Sequence, residues 1–295
     1  MAGREILKKI RKIEIQSKKL VNQLFAGEYR SVFKGQGLEF QEVREYQPGD
    51  EIRSIDWNVT ARLGHPYVKK YVEERQRTII LLVDVSASLA YGSLKKTKNE
   101  IAAELAAILA FSAIQNNDLA GLLLFSGRVE KYIPPKKGKK HVLRIIREII
   151  DYKKTGGETD IAAALKYLSR VQRKSAIVFL ISDFLDGDYA KQLAVLARRH
   201  DLIPIWIRDR YENALPKYRG VMLTEDPETG ALSPVDLSDK MVKNEYERVA
   251  SEAAEKKRKY FLQIKADLIE LSTDGNYLKP LNEFFKRREK RLGRQ

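Results

Sequence analysis

From residue 78 onward the chain reads as an α/β protein built on a doubly wound, mainly parallel sheet with helices on both faces. Three observations lead there. Apolar runs at Thr78–Val83, Leu119–Phe125, Ala176–Ile181 and Leu202–Arg208 are continuous rather than alternating, as in strands buried on both faces. Helical patterns lie between them, at about Lys95–Gln115, Val142–Tyr152, Asp160–Val171 and Tyr189–Arg199. Strands that alternate with helices need right-handed crossovers, and those make neighbouring strands parallel.

The remaining elements follow in chain order. Ile6, Ile10, Ile13, Val21 and Leu24 recur at helical spacing over residues 4–26, and Gly27 stops that pattern. Residues 28–75 are broken by Gly35, Gly37, Pro48, Gly49, Gly64 and Pro66, with β-like pieces at Phe40–Tyr46 and Tyr67–Val72. That makes a small N-terminal β-rich piece. Gly35-x-Gly37 is turn chemistry there, because Gly-x-Gly alone does not specify a phosphate loop. Val129–Ile133 is a short strand, and residues 221–235 form a hairpin around Pro227-Glu228-Thr229-Gly230. A charged helix at about Ser238–Tyr260, a strand at Asp267–Leu271 and a helix at about Leu278–Lys290 complete the chain. The expected organisation is a helix and β-rich segment (1–77), an α/β domain (78–210), and a hairpin with helices packed on the same body (211–295).

Composition removes several kinds of chemistry. The 295 residues include no cysteine and three histidines (His65, His141, His200). Thiolate zinc sites, iron–sulfur clusters, disulfides and thiol nucleophiles are thereby excluded. The net charge of +15 raises the question of nucleic acid. However, residues 1–83, 84–250 and 251–295 each carry the same excess of five basic groups. An even spread fits a generally basic surface, and the Lys136–Lys140 and Lys286–Arg291 clusters read as solvated charge. The start Met-Ala-Gly-Arg-Glu-Ile-Leu-Lys-Lys is too charged for a secretory leader. The longest apolar stretch, Ile101–Ile114, contains Glu104 and Ser112 and falls short of the roughly 20 residues of a membrane span. A cytoplasmic protein without a membrane span is expected.

Ligands of such sheets bind beyond the carboxyl ends of the strands. There the first buried strand runs into Asp84-Val85-Ser86-Ala87-Ser88, and the strand Ala176–Ile181 into Ser182-Asp183. Between them, Gly156-Gly157-Glu158-Thr159-Asp160 leads into a helix and presents the Thr159 hydroxyl. These are hard oxygen donors, the type that magnesium takes in near-octahedral coordination while keeping some waters. Ser86, Ser88 and Thr159 are candidates for direct ligands; Asp84 and Asp183 would act through water or lock the hydroxyls. With so few formal charges, the ion stays electrophilic and open to an outside carboxylate. The plainer alternative is that the serines cap turns and Asp183 caps a strand end.

Asp-x-Ser-x-Ser, then a Thr, then an Asp, each after its own element, resembles the metal-ion-dependent adhesion site of von Willebrand factor A domains. The resemblance implies a von Willebrand factor A-like fold and an adhesion-type site for Mg2+ (or Mn2+ or Ca2+). Upstream, Gly35-Gln36-Gly37-Leu38-Glu39-Phe40, Arg44-Glu45-Tyr46-Gln47-Pro48-Gly49-Asp50, Arg53-Ser54-Ile55-Asp56-Trp57 and Thr60-Ala61-Arg62 are similar to the signature of prokaryotic family 58 of the domains of unknown function. With Pro134-Pro135 and Ser182-Asp183-Phe184, that similarity spans roughly residues 20–290. It implies a non-enzymatic, chaperone-like adaptor or co-factor of a MoxR-type AAA+ ATPase, in protein-complex maturation or stress response. Such a module would bind an acidic residue of a protein partner through the metal.

Within the signature, Arg44, Asp50, Arg53 and Asp56 are expected as buried ion pairs tying the β-rich piece to the α/β domain, and Trp57 as a core residue. Arg44, Arg53 and Arg62 are the alternative docking face. Two other classes compete. One is a phosphoryl-transfer hydrolase with Asp84 as nucleophile and Asp183, Asp186 and Asp188 nearby; against it, Ser86 stands where haloacid-dehalogenase phosphatases carry a second Asp. The other is a nucleic-acid binder using the basic surface. No Gly-x-x-x-x-Gly-Lys-Ser/Thr or Gly-x-Ser-x-Gly is present, so neither ATP hydrolysis nor serine hydrolysis is expected of the chain itself.

Overall fold

The computed structural model describes residues 11, 13–15, 17, 37–74, 76–93, 96–152, 159–225 and 230–292. Two compact units result, one of residues 33–77 and one of residues 78–295 with residues 1–32. The described residues between 11 and 17 are helical. The rest of the helix expected over 4–26, the Gly35-x-Gly37 turn ahead of Gly37, and the hairpin turn at 226–229 lie outside the described residues.

In the smaller unit, β1 (Gly37–Glu45) pairs antiparallel with β2 (Tyr67–Glu74). A seven-residue helix, α1 (Trp57–Leu63), stands between them. Its boundaries have local causes. The Asp56 carboxylate accepts from the N–H groups of Asn58 (3.0 Å) and Val59 (3.3 Å), satisfying two orphan donors of the first turn. Gly64 ends the helix at φ 77°, a left-handed cap that glycine takes without strain.

Two sequence expectations fail in this unit. Trp57 is 67% exposed, because it occupies the first turn of a short helix that buries none of its residues. The Arg44–Asp50 contact is a partly exposed, bidentate pair (2.8 and 2.6 Å) inside the unit, with a further bond from Arg44 to the Glu45 carbonyl at 3.0 Å. Asp56, besides capping α1, pairs with Lys69 at 3.3 Å, and Arg53 is exposed. These residues brace their own unit.

The larger unit is built on a six-stranded sheet in the order β10-β7-β6-β3-β4-β5. Its strands are β3 (Thr78–Asp84), β4 (Leu119–Phe125), β5 (Val129–Lys136), β6 (Ile177–Ser182), β7 (Asp201–Arg208) and β10 (Ile269–Ser272). All neighbours are parallel except β4 and β5. β5 runs three residues past its expected end, through Pro134 and Pro135, which is tolerated because β5 is an edge strand. The strand expected at 267–271 pairs with β7, so the C-terminal segment contributes to the central sheet.

The helices are α2 (Lys98–Gln115), α3 (Lys139–Asp151), α4 (Ile161–Val171), α5 (Ala190–Arg199), α6 (Lys240–Gln263) and α7 (Leu278–Leu292). α2 starts at Lys98 rather than near Lys95 because Thr97 and Glu100 form a capping box. On one face of the sheet, Ile80, Leu82, Val178 and Leu180 pack with α4, α5, Ala254 and Phe261. The alternate residues Ile79, Leu81 and Val83 point to the opposite face. α2 packs on β3, β4 and β7 and pairs with α3. This is the doubly wound α/β architecture expected from the sequence. Each fully buried Leu, Ile or Phe contributes about 1.5–3 kcal/mol, so the sheet is a rigid platform for whatever its strand ends carry. The hairpin of β8 (Val221–Glu225) and β9 (Leu232–Asp236) stands as a separate two-stranded sheet.

Candidate functional site

β3 and β6 are adjacent and parallel, so the polar residues that follow them emerge side by side at one end of the sheet. Asp84 is the last residue of β3 and is fully buried. Its Oδ1 accepts from the Ser86 N–H at 2.9 Å, and its Oδ2 accepts from the Ser182 hydroxyl at 2.6 Å. The Ser86 and Ser88 hydroxyls, both buried, lie 3.1 Å apart. Asp183 follows Ser182 and is fully buried too. Burial first, and the nearby charge of Asp183 second, push the Asp84 carboxyl up to about 7 despite its bonds from Ser182 and Ser86.

Thr159 sits half-buried just ahead of α4. Its neighbour Asp160 donates its N–H to the Ser126 carbonyl beyond β4 at 2.9 Å and caps α4 through Ala163 N–H at 2.7 Å. Asp186, in the loop after β6, accepts from the Ile161 N–H at 2.9 Å. The loops after β4 and β6 are thus both tied to the segment that carries Thr159. The glycines expected to present Thr159, Gly156 and Gly157, lie outside the described residues. Asp84, Ser86, Ser88 and Asp183 are therefore brought into one buried cluster, with Thr159 on the same end of the sheet. Arg44, Arg53 and Arg62 belong to the smaller unit: Arg44 is held by Asp50, and Arg53 and Arg62 are exposed on separate elements.

The structure adds residues that the sequence reading passed over. Lys98, the first residue of α2, is 1% exposed, and its ammonium donates to Asp183 Oδ2 and Glu212 Oε1, each at 2.6 Å. The other Asp183 oxygen, Oδ1, is buried without a hydrogen-bond partner. Phe184, next in the chain, has φ 53°, a conformation costing of order 1 kcal/mol for a residue of its size. It is held by its own N–H bonding Ser182 Oγ at 3.0 Å and by Lys257, whose ammonium donates to the Phe184 carbonyl. Lys257 also lies 4.5 Å over the Trp206 ring, and burial lowers it to about 8. One signal for Lys98 was legible: a lysine in the first turn of a helix opposes the macrodipole, so it needs a local reason.

A family model described as "Protein of unknown function DUF58" matches residues 42–257. The chain belongs to that family. The "Uncharacterized protein Rv1480" of Mycobacterium tuberculosis is 29% identical over 278 residues, covering 93% of this chain and 87% of that protein. The "Uncharacterized protein YeaD" of Bacillus subtilis is 30% identical over 107 residues, 36% of this chain and 25% of that protein. Among solved structures, the conserved hypothetical protein BatB from Bacteroides thetaiotaomicron gives a TM-score of 0.44 at 14% identity, covering 72% of this chain and 99% of that one. The SpRpn10 VWA domain gives 0.39 at 12% identity, covering 70% and 95%. None of these scores reaches 0.5, so the chemistry of the site rests on the chain's own residues.

A divalent ion suits these donors. They are hard oxygens, three of them hydroxyls, and the buried Asp183 Oδ1 has no partner of its own. Among the described residues no three His, Asp or Glu side chains gather as a metal site. Coordination in this cluster would accordingly depend on the serine and threonine hydroxyls.

Proposed function

We propose that this protein is a non-enzymatic, metal-dependent protein-interaction module, working as an adaptor or co-factor of a MoxR-type AAA+ ATPase. Ser86, Ser88 and Thr159 would hold Mg2+, or Mn2+ or Ca2+, with Asp84 and Asp183 as ligands or as acceptors for its waters. The bound ion supplies a Lewis-acidic position that an acidic side chain of the partner can fill. The observation that carries this reading is the convergence of Asp84, Ser86, Ser88 and Asp183 in one buried oxygen-rich cluster, with Asp183 Oδ1 left unpaired. Among the described residues no helix is long and apolar enough to cross a membrane, and a cytoplasmic setting goes with the proposal.

Two features weigh against the competing classes. Asp84 is fully buried with both oxygens accepting hydrogen bonds, which suits a positioning carboxylate better than a nucleophile that must reach a phosphate. The even spread of the basic excess favours no single nucleic-acid stripe. The functional test is capture from native lysate by the immobilised chain. Retention of an AAA+ ATPase in Mg2+, its release by EDTA, and its absence with Asp84→Ala are expected. Equal retention with EDTA or with the variant would overturn the proposal.

A further inference from the structure

Metal binding by the hydroxyls and aspartates leaves one buried cation beside the site unexplained. Lysine is almost never fully buried unless paired, and Lys98 is 1% exposed. It stands at the positive end of α2, where a cation is disfavoured. It bridges one candidate ligand, Asp183, and one carboxylate outside the ligand set, Glu212. Glu212 belongs to a short 3-10 turn after β7, so the bridge joins three separate segments. A buried ion pair of this kind adds little net stability over an apolar pair of similar size. Its effect on a neighbouring ion is large by comparison, because charges interact strongly in a water-poor crevice.

We propose that Lys98 is a built-in counter-cation of the metal site, sharing Asp183 with the divalent ion and holding the ion's affinity low. The inference rests on the metal-site reading above. Without an ion, the charge of Asp183 opposes Asp84 on one side and Glu212 on the other, and Lys98 offsets that repulsion so the fold does not depend on metal. With an ion present, Lys98 and the ion compete for the same carboxylate, while Glu212 keeps the lysine anchored. Affinity then stays modest until an acidic partner adds a further negative group, so ion and partner favour each other's binding.

The test uses the full chain. Mg2+ binding is measured by calorimetry, and thermal unfolding is followed in EDTA and in excess Mg2+, for wild type, Lys98→Met and Glu212→Gln. Lys98→Met is expected to bind Mg2+ about tenfold tighter or more, as loss of a nearby positive charge predicts. Its Tm should drop in EDTA and recover with Mg2+, while wild type changes little. Glu212→Gln is expected to move affinity the other way, several-fold weaker. Unchanged or weaker Mg2+ binding by Lys98→Met, with an equal Tm loss in EDTA and Mg2+, would make Lys98 an ordinary structural ion pair. Should Lys98→Met fail to fold, unchanged affinity in Glu212→Gln overturns the proposal on its own. Absence of binding heat in wild type and variants alike removes the metal site, and this inference with it.

Discussion

Two sets of aspartates sit at the same end of the same sheet, and their surroundings differ in kind. Asp209, just beyond β7, is fully buried and saturated. Its Oδ2 accepts from Ser93 N–H (2.8 Å), Ser93 Oγ (2.9 Å) and Thr273 Oγ1 (2.6 Å), and its Oδ1 accepts from Tyr211 N–H at 3.0 Å. Burial alone would raise its carboxyl, but those bonds outweigh it and hold Asp209 below its usual range. Asp84 and Asp183 are equally buried, yet Asp84 is pushed up to about 7 and Asp183 keeps an unpaired oxygen. Asp209 pins three segments together as a structural knot. In the other pair, Asp84 accepts through both oxygens and still stays raised, and Asp183 is held by Lys98 with its Oδ1 left over, as expected of groups kept for a ligand.

The largest effect that could break this contrast is on stability. Asp209→Ala strands the N–H groups of Ser93 and Tyr211 and the Thr273 hydroxyl, and a loss of about 3 kcal/mol or more is expected in denaturant unfolding. A loss under about 1 kcal/mol would show that the knot is not structural.

The next effect is the slope of stability against pH. The Asp84 carboxyl is raised from 3.8 to about 7, so between those values the folded chain binds a proton that the unfolded chain does not. Its contribution therefore falls as pH rises through that window. Asp209 is lowered, so its contribution is present above its usual value of 3.8 and lost as pH falls below it. Denaturant unfolding in EDTA from pH 4.5 to 8 should show Asp84→Asn flattening the pH slope while keeping wild-type stability within about 1 kcal/mol at pH 4.5, where Asp84 is protonated, and exceeding it at pH 8. An unchanged slope in Asp84→Asn would show that Asp84 does not carry it.

Much of the scaffold was legible because β3, β4, β6 and β7 are buried on both faces, and such strands cannot hide their apolar runs. Asp84, Ser86 and Ser88 stood out by their alternation directly after one of those runs. Other features depend on contacts that no local pattern encodes. Lys98 meets Asp183 and Glu212 across 85 and 114 residues. Asp209 looked like any polar residue after a strand, since Ser93 and Thr273 approach it from far along the chain. α1 was missed because seven residues carry too little periodicity, although Asp56 and Gly64 marked its two ends. Trp57 reads as a core residue by type alone, and its position at the exposed first turn of that helix decides otherwise.

The contrast between Asp209 and the Asp84–Asp183 pair comes down to whether a cation binds where Asp84, Ser86, Ser88 and Asp183 converge. The direct measurement is calorimetric titration of Mg2+ into the metal-stripped wild type, Asp84→Asn and Asp209→Asn chains. Saturable one-site binding to wild type, lost in Asp84→Asn and kept by whatever fraction of Asp209→Asn folds, is the predicted result. Equal Mg2+ binding by wild type and Asp84→Asn, or none by wild type, would contradict it.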